Sequence, residues 1–369
     1  AVGAGREMAG RGVAERRPAS LHPRTGSAKR RSILERARAV RFAFIPVARR
    51  VVLLVNRREF VVGAAAIALA PDALARSLGG TPTALVTADL ESHVVAVSLT
   101  HERVVRAIAT PSDPRSIESV GNDAVVGHTT PGLVTIIDGE TLRVRRILDG
   151  FVEPRYTVSA GDGRHAYLTD SGRQELVVLD VRLARVLRRV ALGGPARHLA
   201  LDPTRRRIFV ALGNKAERVA VVDIRSPARP RVTTHFAPPF LAHDVGVGRF
   251  GYVWVTSGAT RELAVYHRGR ILVRVPADAP PQHVTFVSGF AFVTSGDDGT
   301  LRVHSGGTGE LIGVERVPYG SYNVQRGWGR VLMPSLSRGT LAIASGRGTV
   351  VRVVDVARSS HDACFVLSA

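Results

Sequence analysis

From about Thr81 onward the chain is a succession of short apolar runs separated by turns of Ser, Gly, Asp and Thr, and the succession repeats. The runs that open each unit are ALVTAD at Ala84, AVVGHT at Ala124, AYLTDS at Ala166, IFVALG at Ile208, VWVTSG at Val253, AFVTSG at Ala291 and VLMPSL at Val331, spaced 38 to 45 residues apart. Their partners HVVAVS, GLVTIID, ELVVLDV, RVAVVDI, ELAVYH, TLRVHS and TLAIAS are rich in Val, Ile, Leu and Ala. Such residues suit a pleated, buried surface, and the intervening Gly, Asp and Asn suit the reversals between strands. Third runs such as RVVRAIAT, RVRRILDG, RVLRRVAL and ILVRVPAD alternate Arg with apolar residues. That pattern predicts a half-exposed outer strand whose charge blocks edge-to-edge pairing. A fourth run precedes each opening run: PRSIESVG, PRYTVSAG, ARHLALDP, LAHDVGVG, PQHVTFVS, GSYNVQRG and SSHDACFV.

Four strands in about 40–45 residues is the size of one propeller blade. Seven units therefore predict an all-β chain folded as a seven-bladed β-propeller of four-stranded antiparallel blades. The last run, Ser359 to Val366, supplies an innermost strand to the blade begun by the first runs. Pairing of the N- and C-terminal strands then closes the ring without a free edge. The unit from Pro195 to Ile224, PARHLALDPTRRRIFVALGNKAERVAVVDI, resembles the YVTN-type propeller repeat. A Pro-led inner strand, an Asp-Pro turn, a Phe-Val strand, an Asn-bearing turn and a Val-Val-Asp strand follow in order. The resemblance covers residues 81–369 and weakens in the last two units, where Val303-His304 and Ile343-Ala344 replace the Val-Asp ending. It implies architecture rather than chemistry, because propellers host enzymes, ligand binders and interaction platforms.

Upstream of the repeats, Asn56-Arg57-Arg58-Glu59-Phe60 precedes an uncharged run from Val61 to Ala70 and then Pro71-Asp72-Ala73-Leu74-Ala75. An Arg pair, a Phe two residues later, a modest apolar segment and an A-x-A site resemble a twin-arginine export signal. The apolar run is shorter than the roughly 20 residues needed to span a bilayer, and no later segment qualifies as a membrane helix. The expected organisation is a basic extension at 1–54, disordered or non-native, a signal peptide at 55–75 cleaved near Ala75, and the propeller at 76–369. The signal residues are Arg57, Arg58, Phe60, Ala73 and Ala75, and the expected location is periplasmic or extracellular.

Charge follows this division. The chain of 369 residues carries a net +20, and its 51 basic residues include only two lysines, Lys29 and Lys215. Half of the excess lies in residues 1–54. An arginine bias this strong is what a GC-rich genome produces, and only 5% of residues are aromatic. Single-strand binders interleave aromatics with basic grooves, so nucleic acid is disfavoured as a partner. The one cysteine, Cys364, excludes an intramolecular disulfide and CxxC chemistry.

Aligning the seven inner runs exposes a column at their third residue: Ser116, Tyr156, His198, His243, His283, Tyr322 and His361. Inner strands converge on the axis, so this column predicts a ring at one mouth of the channel. The preceding column holds Arg115, Arg155 and Arg197 in consecutive units, whose planar forks suit carboxylate or phosphate. A small anionic ligand or a protein partner is the expected occupant, bound by a monomer without a dedicated cofactor. Two other readings stand beside it. The histidines also suit a metal ion, with Asp244, Asn323, Asp362 and Glu118 in neighbouring columns. Similarity to lactonase propellers would imply hydrolysis of a sugar lactone around Arg155, Arg197 and His198. A structural role, in which each His ties its blade to the next, accounts for the same column. No G-x-S-x-G, H-E-x-x-H or G-x-x-x-x-G-K-[ST] motif is present. Asp297-Asp298-Gly299 reads as a tight turn.

Overall fold

Apolar residues occupy both faces of the two middle strands in every unit, because each blade packs its two faces against two neighbours. Strand Glu175–Asp180 is buried at every position after the first, whereas outer strand Arg143–Leu148 is exposed or half-buried throughout. The outer strands carry the expected arginines, but several of their aliphatic residues, Val105, Ile147 and Leu272 among them, are exposed rather than half-covered. The computed structural model describes residues 79–369 apart from Ala228, and the extension at 1–54 and the signal residues Arg57, Arg58, Phe60, Ala73 and Ala75 lie outside the described residues.

The described residues form seven four-stranded antiparallel sheets. Blade 1 consists of Thr81–Ala88, His93–Ser98 and Arg103–Ala109 with Ala363–Ser368 as its innermost strand. Blades 2 to 7 follow in chain order, with inner segments at Pro114–Val120, Pro154–Ser159, Leu199–Leu201, Ala242–Val247, Val284–Val287 and Gln325–Gly327. Closure pairs Ala84 with Phe365, Leu85 with Cys364 and Val86 with Ala363. The ring is closed as the repeat pattern predicts.

The core is distributed between blades rather than gathered at a centre. Between blades 3 and 4, for example, Tyr167, Leu176 and Val178 meet Ile208, Val210, Ala220 and Val222. Each blade also shifts register between its third and fourth strands, as at Ile136/Ile137 and Val265/Tyr266. Such bulges increase local twist, which a wedge-shaped blade needs as it widens outward.

Bulges in the inner strands matter more for the axis. Register shifts fall between Pro114 and Ser116, Pro154 and Thr157, and Ala242 and Val245. At the second and third, the column residues Tyr156 and His243 leave the ladder and their side chains are re-aimed, whereas at the first Ser116 stays paired with Gly127 and Arg115 is bulged out. A second-strand threonine takes over the freed backbone groups. The Asp244 N–H donates to Thr256 Oγ1 at 2.9 Å, and that hydroxyl donates to the Gln282 carbonyl of the next blade at 2.9 Å. Thr169 repeats the device between Tyr156 and Arg197 at 3.1 and 2.6 Å.

Candidate functional site

Four of the seven column residues come together, one from each of blades 3 to 6. His198 sits at the centre, its ring centroid 4.1 Å from Tyr156 and 4.6 Å from both His243 and His283. The His243–His283 centroids are 5.3 Å apart. The remaining three point elsewhere. Ser116 donates its hydroxyl to the Arg155 carbonyl, tying blade 2 to blade 3. Tyr322 packs its ring on Gly296, where a β-carbon would come within 2.3 Å, and donates its hydroxyl to Asp297 at 2.8 Å. His361 faces Asp89 at 3.4 Å.

The ligand atoms of His198, His243 and His283 all lie within 4.8 Å of one another. Two of the three rings are oriented from behind. His243 Nδ1 lies 3.3 Å from the Asn214 carbonyl, which accepts its proton and leaves Nε2 with its lone pair. His283 Nδ1 lies 3.4 Å from Asp244 Oδ2, a carboxylate already fixed by the Val284 and Val245 N–H groups. A histidine whose second nitrogen is held by a carbonyl or carboxylate is the usual arrangement behind a metal-ligating imidazole. His198 differs, since it is 1% exposed and neither ring nitrogen has a hydrogen-bond partner.

Burial favours the neutral forms of His198, His243 and Tyr156. Burial, then the neighbouring His243 and His283 and the Arg197 guanidinium, hold His198 well below the usual imidazole range. Burial, His283 and Arg197 bring His243 down to about 3. Burial pushes the Tyr156 phenol up to about 12. Deeper in the channel, burial and the nearby Asp362 push Glu118 up to about 8.

The arginine column divides. Arg115 is paired with Asp113 at 2.6 Å, and Arg155 is paired with Glu153. Arg197 bears on Tyr156, His198 and His243, and its Nε is buried without a partner. Two of the three guanidiniums are thus already engaged by carboxylates of their own blades. Asp362 and Asn323, in the next column, serve the ring itself. Asp362 accepts the Ile117 N–H at 3.0 Å, and Asn323 donates to the His361 carbonyl at 2.6 Å.

A cavity of about 950 Å³ runs along the axis from Tyr156, His198 and His283 to the turns that follow the inner strands. Its far end is lined by Arg205, Arg249, Phe250 and Arg326, none of which belongs to the aligned column. Their signal in the sequence is the Pro203-Thr204-Arg205-Arg206 and Gly248-Arg249-Phe250-Gly251 turns, where basic residues stand at sites that hairpins usually give to small polar ones.

Fold and site together define a seven-bladed β-propeller with an imidazole cluster at one end of its channel. No family model matches the chain, and no curated protein matches it. Solved structures do. Apo AztD from Citrobacter koseri is 10% identical with a TM-score of 0.63, over 78% of this chain and 98% of that one. A functionally unknown protein from Desulfotomaculum acetoxidans is 12% identical with a TM-score of 0.66, over 78% and 99%. Hydrazine synthase from Kuenenia stuttgartiensis is 14% identical with a TM-score of 0.63, over 75% and 94%. At such identities the likeness concerns the fold alone.

Proposed function

We infer that this protein is a binding propeller whose ligand is a borderline transition-metal ion of the zinc and copper class, held by His198, His243 and His283. One observation carries the reading: three imidazoles from three successive blades converge while both nitrogens of the most buried one, His198, lack any partner. An unpaired buried polar group costs about 1–3 kcal/mol, and a metal ion is the partner that three converging imidazole nitrogens suit best. An ion with bonds of about 2.0–2.1 Å needs donors roughly 3.4 Å apart in tetrahedral and roughly 2.9 Å apart in octahedral geometry, so the rings must close in by about 1–2 Å on binding. Rotation about their χ angles supplies that without moving the blades.

Three further features support the assignment. Burial holds His198 and His243 in the neutral form near pH 7, which is the form that ligates. Arg115 and Arg155 are neutralised by their own carboxylates, so the arginine column offers an anion only Arg197. The resemblance of Arg57-Arg58 and the apolar run after them to a twin-arginine signal supports export of the chain already folded, which would suit a metal-bearing propeller. Nothing in the geometry favours the lactone hydrolase.

Competition against a chromophoric chelator with zinc and copper, followed by X-ray absorption at the metal edge, tests the reading. Wild type is expected to bind one ion per chain with a nitrogen-dominated shell. His198→Ala is expected to lose at least about a hundredfold in affinity, in line with removal of one ligand and of its buried orphan nitrogens. Equal affinities for wild type and variant would sink the metal site.

A further inference from the structure

The cavity is far larger than an ion requires, and its two ends differ in chemistry. About 950 Å³ lies at the top of the range for sites that enclose a whole small molecule. One end is lined by Tyr156 with His198 and His283 of the imidazole cluster. The other end carries Arg205 from blade 4, Arg249 from blade 5 and Arg326 from blade 7, all exposed.

These rim arginines stand apart from their neighbours. Arg164 and Arg207, on the same turns, are paired with the buried carboxylates Asp180 and Asp202 at 2.7 and 2.9 Å. Among the described residues no carboxylate lies within ion-pair distance of Arg205 or Arg249, and Arg249 stacks on Phe250 at 4.8 Å. Arg326 donates to the Phe286 carbonyl at 2.9 Å and bears electrostatically on Glu118 without forming a close ion pair. A guanidinium without a carboxylate beside a deep cavity is a ready partner for one carried by a ligand. A basic entrance also disfavours approach of a bare dication and favours an anionic carrier.

The spacing sets the ligand's length. Four residues of extended inner strand separate His198 from Asp202, roughly 13 Å at the usual strand rise. An ion on the imidazoles therefore has room on its cavity side for further donors, and for an arm that reaches the rim.

We propose that the channel binds its metal as an elongated anionic chelate, a small aminopolycarboxylate-like molecule whose donor end completes the coordination shell and whose carboxylate arm is held by Arg205, Arg249 and Arg326. The inference rests on the metal site proposed above. Three imidazoles on one face of an octahedral ion leave the opposite face for a tridentate donor such as iminodiacetate.

Calorimetry with nickel iminodiacetate tests this, using one chelate with a carboxylate-ended arm of about 9 Å and one with an amine-ended arm of the same length. The wild type is expected to prefer the carboxylate arm by about tenfold or more, the range of a charge-assisted hydrogen bond. Arg205→Glu combined with Arg249→Glu is expected to abolish or invert that preference and to leave affinity for aqueous nickel within about twofold, since electrostatics at that range are screened. If aqueous nickel binds wild type but the two arms bind alike, the chelate inference fails and the metal site stands. An unchanged preference in the double variant also overturns it. Absence of nickel binding altogether refutes the underlying metal site instead.

Discussion

Single residues at the axis show how burial sets chemistry. Glu118 lines the channel beside Asp362, and burial with that like charge lifts its carboxyl to about 8, far above the usual 4.5. Burial raises Asp362 as well, and the Ile117 and Ala363 N–H groups hold back part of that rise. A raised acid favours the fold only while protonated. Its contribution is therefore complete below about pH 4.5 and is lost as pH rises through about 8. The melting temperature of the metal-free protein should fall across that window. Glu118→Gln, which keeps the shape and removes the ionisation, should flatten this part of the profile and melt several degrees higher than wild type at pH 8.5. Calorimetric scans at half-unit steps check it, and parallel profiles for the two proteins would refute it. At this scale the histidine column was readable in the sequence, since four of twelve histidines shared one position in the repeat. Which of its members meet was not readable. Alignment fixes a residue's place on a strand but not its χ1, and Gly296 gives Tyr322 a bed away from the axis while Asp89 attracts His361.

Among elements, the junctions between inner strands carry an unusual share of the hydrogen bonding. The spacing of apolar runs made the blades legible, because a four-stranded blade is the repeating object that buries both faces of its middle strands. The inner-strand bulges were not legible, since a shift of register leaves composition and period almost unchanged. Yet these bulges aim Tyr156 and His243, and threonines on the second strands compensate for the broken ladder. Thr256 accepts from Asp244 and donates to Gln282, the residues beside His243 and His283. Thr256→Val keeps the volume but orphans a buried N–H and a carbonyl, at a cost of about 2 kcal/mol or more. It should also weaken metal binding, because both flanking ligands lose their anchor. Thr233→Val, which removes a hydroxyl bonded only to the Val221 carbonyl of its own blade, should cost less and leave metal binding unchanged. Urea melts and chelator competition on both variants decide the matter; equal losses would deny the junction its special role.

Across the whole molecule, the ring depends on one strand contributed from the far end of the sequence. Ala363–Ser368 pairs with Thr81–Ala88 over six residue pairs and buries Ala363, Cys364, Phe365 and Val366. It also packs beyond its own blade. Cys364 and Val366 join Leu85 and Val94 of blade 1 to Ile117 and Val126 of blade 2, while Phe365 belongs to the cluster shared with Leu332 and Ile343 of blade 7. Asp362 and Ser119 add polar ties across the same seam, the latter accepting the Phe365 N–H at 3.1 Å. Removing the strand therefore bares the Thr81–Ala88 edge and strips apolar cover from two neighbouring blades at once. An uncapped edge of that length invites pairing with other chains. A chain truncated after Arg358 should lose its cooperative melt and form oligomers, as judged by calorimetry and size-exclusion chromatography. A synthetic peptide spanning residues 359–369, added in excess, should restore the monomer and the cooperative melt, because the missing contacts are local to that seam. A truncated chain that melts cooperatively as a monomer would show that the six remaining complete blades hold the ring without its closing strand.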